Sequence, residues 1–357
     1  MDSVSLLREL SEAVGAPGNE EEVRAIVRAR IAGLADGIEA DVVGNLFAWR
    51  GDPRGPTVMV AAHTDEVGLL VSAVEPAGFL RVVPLGRSDP RVLPGQEVVV
   101  MTASGKRVFG AVGIPSPHLT QESQRTVVPP VEAQFVDIGA QSADDVAARG
   151  IRVGDPAVLN AAFRTLDRRM IMGKALDDRA GCAWLLCVLE RLARVDLNIR
   201  LVAAFTCQEE VGIRGATVAG FRINPDVAIA LEGTAAGDFP GIEPHRVPVA
   251  VGRGVALTIA DNRFLAHRGF FRFAERVAEA HDIPHQTKAP LFGGTDAGAL
   301  HLTRAGVMTG VMSIPCRYIH TPRAIMSLDD FDAGVDLLAT VLSEVGEWLR
   351  STGQAPG

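Results

Sequence analysis

The sequence predicts an α/β protein, a sheet with helices on both faces, whose chain is interrupted by a small all-β insertion. Three observations carry this. Apolar runs of strand length at residues 57–62, 199–206, 227–231 and 307–314 read as strands covered on both faces. Segments of helical period lie between most of them. From Gly68 to about Arg164 the texture changes to short valine-rich strands punctuated by Gly and Pro. With 357 residues the chain is long enough for two domains.

Taken in order, residues 3–14 place Leu6, Leu7, Leu10 and Val14 on one helical face. Asn19 stands before Glu20, Glu21 and Glu22, which offers a capping side chain and negative charge to the first turn of a second helix. Its buried stripe is Val23, Ile26, Val27, Ile31 and Leu34. Strands at 39–43 and 45–50 should meet at Gly44, and the run 57–62 delivers His63 at its carboxyl end. Inside the insertion, strands at 79–83, 97–102, 107–112, 134–138 and 157–159 suggest a sandwich or barrel, with a flexible polar loop over 115–130. Beyond Met172 a helix at 176–195, a strand at 199–206, a helix at 211–220 and a strand at 227–231 follow. Helices at 264–281 and 296–302 and a strand at 307–314 come next, and Ser327 opens a last helix ending near Arg350.

A net charge of −8 without any Lys- or Arg-rich run argues against nucleic acid as a partner. No apolar stretch nears the ~18 residues of a membrane span. The amino terminus lacks the pattern of a signal peptide. A cytoplasmic protein is expected. Cys182, Cys187, Cys207 and Cys316 lie in apolar segments without C-x-x-C spacing, so buried reduced thiols are expected rather than disulfides or structural zinc.

The chemistry concentrates in Gln208-Glu209-Glu210-Val211-Gly212, preceded by His63-Thr64-Asp65 and Asp177-Asp178 and followed by Glu232 and His320. Two adjacent acids behind an apolar strand are costly to bury unless a cation compensates them. At a strand end they would point to opposite sides, one toward metal and one toward substrate. His63 and Asp65 would share a face, the carboxylate orienting a metal-binding imidazole. Asp177 opens a helix, where a carboxylate is welcome for dipole reasons alone, yet a shared one lets two cations sit ~3.5–4 Å apart. Glu232 ends a buried strand, in the usual crevice for ligands of open α/β sheets. His320 follows the 307–314 strand in a loop. The remaining histidines (His118, His245, His267, His281, His285 and His301) carry no such pattern, His118 being the best candidate for a visiting role. The residues together read as a two-metal hydrolase.

At these positions the chain resembles the cytosolic dinuclear-metal aminopeptidases that assemble into tetrahedral twelve-subunit shells, the glutamyl and deblocking aminopeptidases sometimes labelled cellulase M-like. The motifs are Ala62-His63-Thr64-Asp65-Glu66-Val67-Gly68, Gly173-Lys174-Ala175-Leu176-Asp177-Asp178-Arg179, Gln208-Glu209-Glu210-Val211-Gly212, Arg214-Gly215-Ala216, Gly293-Gly294-Thr295-Asp296-Ala297 and Ile314-Pro315-Cys316-Arg317-Tyr318-Ile319-His320. The resemblance implies a central mixed sheet of the zinc-peptidase type formed by residues 1–67 and 165–357. Residues 68–164 would be an inserted barrel or PDZ-like dimerisation domain.

It further implies two divalent ions per subunit, zinc or cobalt with manganese as a third option. His63, Asp177 and Glu232 would bind one, and Asp177, Glu210 and His320 the other. Asp65 would orient His63, Glu209 would be the general base toward a metal-bridging water, and the bond after Asp177 would be cis. Short peptides would be the substrate and a homododecamer built from dimers the assembly. Many relatives carry aspartate where Glu232 stands, in an Asp-Val-Thr rather than a Glu-Gly-Thr context, so the longer arm should meet its metal differently. A deacylase or carboxypeptidase would share these ligands, and a non-catalytic assembly protein could share the fold. A glycosidase would need two carboxylates flanking the sugar bond, which acids committed to metal do not offer.

Overall fold

In the computed structural model, which describes residues 2–353 apart from 125, 168, 290 and 291, the chain opens with α1 (Ser3–Glu12) and α2 (Glu21–Ile31). The first sheet strands follow as β1 (Gly37–Ala40), β2 (Leu46–Gly51) and β3 (Thr57–His63). The chain then leaves this sheet to form β4 (Gly68–Val74), β5 (Leu80–Leu85), β6 (Glu97–Met101), β7 (Arg107–Val112), β8 (Phe135–Asp137), α3 (Ala143–Ala148) and β9 (Pro156–Leu159). These six strands close a barrel in the order β4-β5-β8-β7-β6-β9, every ladder antiparallel. Closure removes the edges that such short strands would otherwise leave unpaired.

The chain returns through β10 (Arg164–Thr165), β11 (Met170–Gly173), α4 (Leu176–Arg191), β12 (Arg200–Thr206), α5 (Arg214–Ile223) and β13 (Val227–Ala235). It finishes with β14 (Val255–Thr258), α6 (Arg268–Ala280), β15 (His285–Lys288), α7 (Ala297–Leu300), β16 (Met308–Arg317), β17 (Ala324–Ser327) and α8 (Leu328–Ser351). The main sheet runs β1-β2-β12-β3-β13-β16-β17-β11-β10, with β14 and β15 branching from β16. β12, β3, β13 and β16 are parallel, as is the β14–β15 pair, and the remaining pairings are antiparallel, so the sheet is mixed.

Alternation along β3 shows why both faces are covered. Val58, Val60 and Ala62 enter one apolar core with residues of α1, α4, α6 and α8, while Met59 and Ala61 enter a second with residues of α5 and α7. A strand apolar at every position can only be central. Among the described residues no helix is long and apolar enough to cross a membrane. All four cysteines are free thiols, three buried and Cys187 half-buried.

Several boundaries move, each for a polar reason. Asn19 does not cap α2. The cap position is Glu20, whose Oε1 instead accepts Gly18 N–H at 2.7 Å and Gln208 N–H at 3.2 Å, tying the helix start to the distant acid-rich turn. The strand expected over 39–43 stops at Ala40, because Asp41 Oδ1 captures the amides of Val43, Gly44 and Asn45 at 2.9–3.1 Å. The helix expected at 211–220 starts only at Arg214, and that expected at 264–281 starts at Arg268 with the His267 imidazole as its cap. The segment 115–130 carries 3₁₀ turns at Pro117–Leu119 and Glu122–Gln124. Arg125 lies outside the described residues, and His118 is exposed. The strands β10, β11, β14, β15 and β17, of two to four residues each, escaped the periodicity argument as short, pairing-dependent pieces, and the seven-residue β4 escaped it too.

Candidate metal centre

Register brings the site together. Thr206 pairs with His63 across the parallel β12–β3 ladder, so these strands end level, and β13 carries Glu232 beside β3. His63 is buried, its Nδ1 3.1 Å from the Asp65 main-chain oxygen and 3.5 Å from Asp65 Oδ1. Its Nε2 lies 3.5 Å from Asp177 Oδ1 and 3.8 Å from Glu232 Oε2. His320, in the loop after β16 at φ +61°, points Nε2 at Asp177 Oδ2 (3.2 Å) and Glu210 Oε1 (3.4 Å). His63, Asp177, Glu210, Glu232 and His320 therefore converge, from segments as far apart as residues 63 and 320, around one aspartate.

Asp177 does not open a regular helix. It and Asp178 have non-helical backbone angles and the bond between them is cis. The two neighbouring aspartates separate by function of contact. Asp178 Oδ2 accepts His63 N–H at 3.1 Å and its Oδ1 accepts Gly181 N–H at 3.0 Å. Its carboxylate is spent on backbone, although it stands within ligand range of His63 and Glu232. Asp177 accepts only Gly233 N–H (3.1 Å) from the backbone and otherwise faces both imidazoles. Gly233 admits it, since a Cβ there would meet Asp177 Cβ at 2.9 Å.

Glu209 and Glu210 do not sit on a strand, because β12 ends at Thr206, so strand alternation does not separate them. Both line one cavity of about 340 Å³, together with Asp177, Glu232, Thr295, His320 and others. Their turn is bounded by two left-handed residues, Gln208 at φ +55° and the β-branched Ile213 at φ +57°, a conformation of the kind that clusters at functional sites. Asp65 holds the turn. One of its oxygens accepts Glu209 N–H and the other Glu210 N–H, each at 3.0 Å. Behind, Lys174 Nζ reaches Glu66 Oε1 at 2.6 Å, and Arg179 bonds the Leu10 carbonyl at 2.7 Å and Glu66 at 3.2 Å, locking α1 to the segment that carries Asp177.

Burial pushes the carboxyls of Glu209 and Glu232 well above their usual range and that of Glu210 up to about 7. Burial acts on Asp177 in the same sense, but hydrogen bonds from His320 and His63 outweigh it and hold this acid below its usual range. For His320 burial works downward, yet Asp177 and Glu210 bring it up to about 9. The buried Glu210 Oε1 has no hydrogen-bond partner. An oxygen without a hydrogen-bond donor among the described residues, faced by the His320 imidazole at 3.4 Å and crowded by other acids, fits a divalent cation, which would take over the role that protons fill in this geometry.

Sequence reasoning passed over four contributors. Asp178 supports His63, and Gly233 clears space for Asp177. Glu20 holds Gln208. Asp296, buried in the Gly293-Gly294-Thr295-Asp296-Ala297 motif, accepts the Thr206 hydroxyl at 2.6 Å and gives its N–H to Glu232 Oε1 at 3.0 Å. The motif itself was the available signal for Asp296; nothing local marks Glu20.

The model of the M42 glutamyl aminopeptidase family matches residues 44–337. The glutamyl aminopeptidase of Lactococcus lactis is 32% identical, with 97% of each chain covered. The lysyl aminopeptidase of Pyrococcus furiosus is 33% identical, covering 95% of this chain and 96% of the relative. The TET1 peptidase of Pyrococcus horikoshii, whose structure is described as assembling into a tetrahedron or a large octahedral shell, superposes with a TM-score of 0.87 at 29% identity over 96% of this chain and all of that one. Fold and likeness together define a peptide hydrolase of the metal-dependent aminopeptidase class. The chain belongs to the M42 glutamyl aminopeptidase family.

Proposed function

We propose that this chain is a two-metal aminopeptidase removing N-terminal residues, acidic ones by preference, from short peptides. The observation that carries the reading is Asp177, which offers one oxygen toward His63 and the other toward His320. A carboxylate shared by two cations needs that two-sided approach. His63, Asp177 and Glu232 would hold one ion, and Asp177, Glu210 and His320 the other. Zinc, cobalt or manganese suit these oxygen and imidazole donors. The bound pair would supply a water of lowered pKa and a polarised substrate carbonyl. Glu209 takes the proton of the attacking water and returns it to the leaving nitrogen. Its carboxylate suits that role, being half-buried in the cavity and bonded to no other group among the described residues. Asp65 acts through others, fixing His63 and the Glu209–Glu210 turn at once.

The side-chain preference rests on Lys288. Its ammonium lines the cavity and is buried, 5.0 Å from the Phe292 ring, and no carboxylate pairs with it among the described residues. Burial works against its charge and Asp261, Glu232 and Asp177 favour it only from a distance, so an acidic side chain on the substrate would add the direct partner it lacks. Relatives named for glutamyl and for lysyl cleavage differ in the charge they read, so the pocket must decide, and a cationic pocket favours the first. The exposed barrel side chains Phe109, Ile114 and Leu119 support self-association through the barrel as the dimer step of a homododecamer, in a cytoplasmic setting.

The test is a metal-reconstituted screen of Glu-, Asp-, Leu- and Lys-anilides beside N-acetyl amino acids, with light scattering on the same sample. Acidic anilides should turn over fastest, Lys288→Glu should cost them at least about tenfold, and the mass should approach twelve subunits. Cleavage of the acetyl compounds alone would move the chain to the deacylases, and a monomer mass would end the assembly reading.

Metal affinity should also depend on pH, with a definite sign. Below about 7 Glu210 holds a proton, and below about 9 so does His320, each of which a cation must displace. Apparent affinity should therefore climb from pH 6 to 9. Calorimetry in two buffers of different ionisation enthalpy should register proton release, and a flat affinity across that window contradicts the ligand set.

A further inference from the structure

The barrel contributes one charged group to the cavity. Gly86 follows β5 at φ +84°, and a Cβ built there would stand 3.1 Å from Glu210 Cβ, so the barrel backbone packs directly against this acid. The next residue, Arg87, lines the cavity alongside Glu209, Glu210 and His320. It is exposed and, among the described residues, makes neither an ion pair nor a hydrogen bond. The acid nearest in sequence is taken, since Asp89 binds Arg91 at 2.5 Å. Lys288 lines the same cavity but is buried, beside Glu232 and Asp261 rather than in the solvent.

From these positions, and resting on the aminopeptidase reading above, we infer that Arg87 is a specificity-determining residue that reads the free carboxylate of the leaving peptide. The two halves of a peptide extend in opposite directions from the scissile carbonyl. If the N-terminal side chain meets the buried Lys288, the leaving half runs past Glu210 and out by Arg87. In a dipeptide the terminal carboxylate lies a single residue beyond the scissile bond, within reach of an arginine at the cavity lip. A guanidinium can grip a carboxylate through two parallel hydrogen bonds, a geometry an amide cannot return. The fold would thereby favour the shortest substrates: the barrel, whatever else it does, measures what is left after the first residue.

The test uses the metal-loaded, full-length protein and three substrates: glutamyl-alanine, its C-terminal amide and glutamyl-anilide. In the wild type kcat/KM for the free acid should exceed that for the amide about tenfold, mainly through KM. In Arg87→Ala the ratio should fall to near one, and Arg87→Lys should retain part of it. A ratio that survives in Arg87→Ala, or a wild type indifferent to amidation, overturns the inference while leaving the aminopeptidase intact. A wild type that cleaves none of the three, the anilide included, overturns the functional reading and this inference with it. A merely structural role for Arg87 would weaken acid and amide alike and leave their ratio unchanged.

Discussion

Asp177→Asn is expected to abolish binding of both cations, weakening each by about 10²–10³-fold, and to take peptidase activity with them. The substitution keeps the size of the side chain and an oxygen for the Gly233 amide, but removes the charge facing His63 and His320. Single-ligand changes at Glu232 or Glu210 should weaken one ion more than the other; only Asp177 should cost both. The metal-free protein supplies an independent readout. His320 is brought up to about 9 by Asp177 first and Glu210 second, against the pull of burial. Without the aspartate its titration, followed by NMR, should move down by at least a unit. A variant that still binds two ions at wild-type affinity removes Asp177 from the centre of the site.

Glu209→Gln should behave in the opposite way, with two ions bound and turnover reduced by about 10²–10⁴-fold. Glutamine preserves the shape and leaves the Asp65 contact untouched, because that contact is made by the main-chain amide of residue 209. What is lost is the capacity to accept a proton. The loss should appear in kcat, with KM nearly unchanged, as expected when an interaction acts on the reacting proton rather than on ground-state binding. Metal analysis beside steady-state kinetics decides it. If turnover stays at the wild-type level, another group is the base; if the ions leave, Glu209 is a ligand.

The pair of experiments bears on how much of this site could be read from the chain. His63, Glu232 and the Glu209–Glu210 pair were legible because each stands at or shortly after an apolar run (58–62, 227–231 and 201–205), where a charged group has little reason to be unless it has a partner. Asp177 was less so, since a carboxylate near a helix start has an ordinary explanation in the helix dipole. Its neighbour Asp178 is the same residue type one position along, and no local pattern tells them apart. The structure does, through the amides of His63 and Gly181 that occupy Asp178, while Asp177 takes one amide and faces both imidazoles. Glu20 is similar. The acid-rich opening of α2 was read as dipole complementation with Asn19 as cap, whereas Glu20 turns away to bind Gln208 from 188 residues off.

By itself the amino-acid sequence determined the α/β class and the valine-rich β interruption, because periodicity and turn chemistry act within a few residues; His63, Asp177, Glu210, Glu232 and His320 stood out as acids and imidazoles, and their grouping as ligands of two ions came from resemblance to the family. Tertiary structure alone decided that backbone amides occupy Asp178 while Asp177 faces the two imidazoles, and that Glu209, Glu210, Lys288 and Arg87 all line one cavity. Those outcomes depend on which backbone amides compete for a carboxylate across long stretches of chain, and that competition exists only once the strands have found their register.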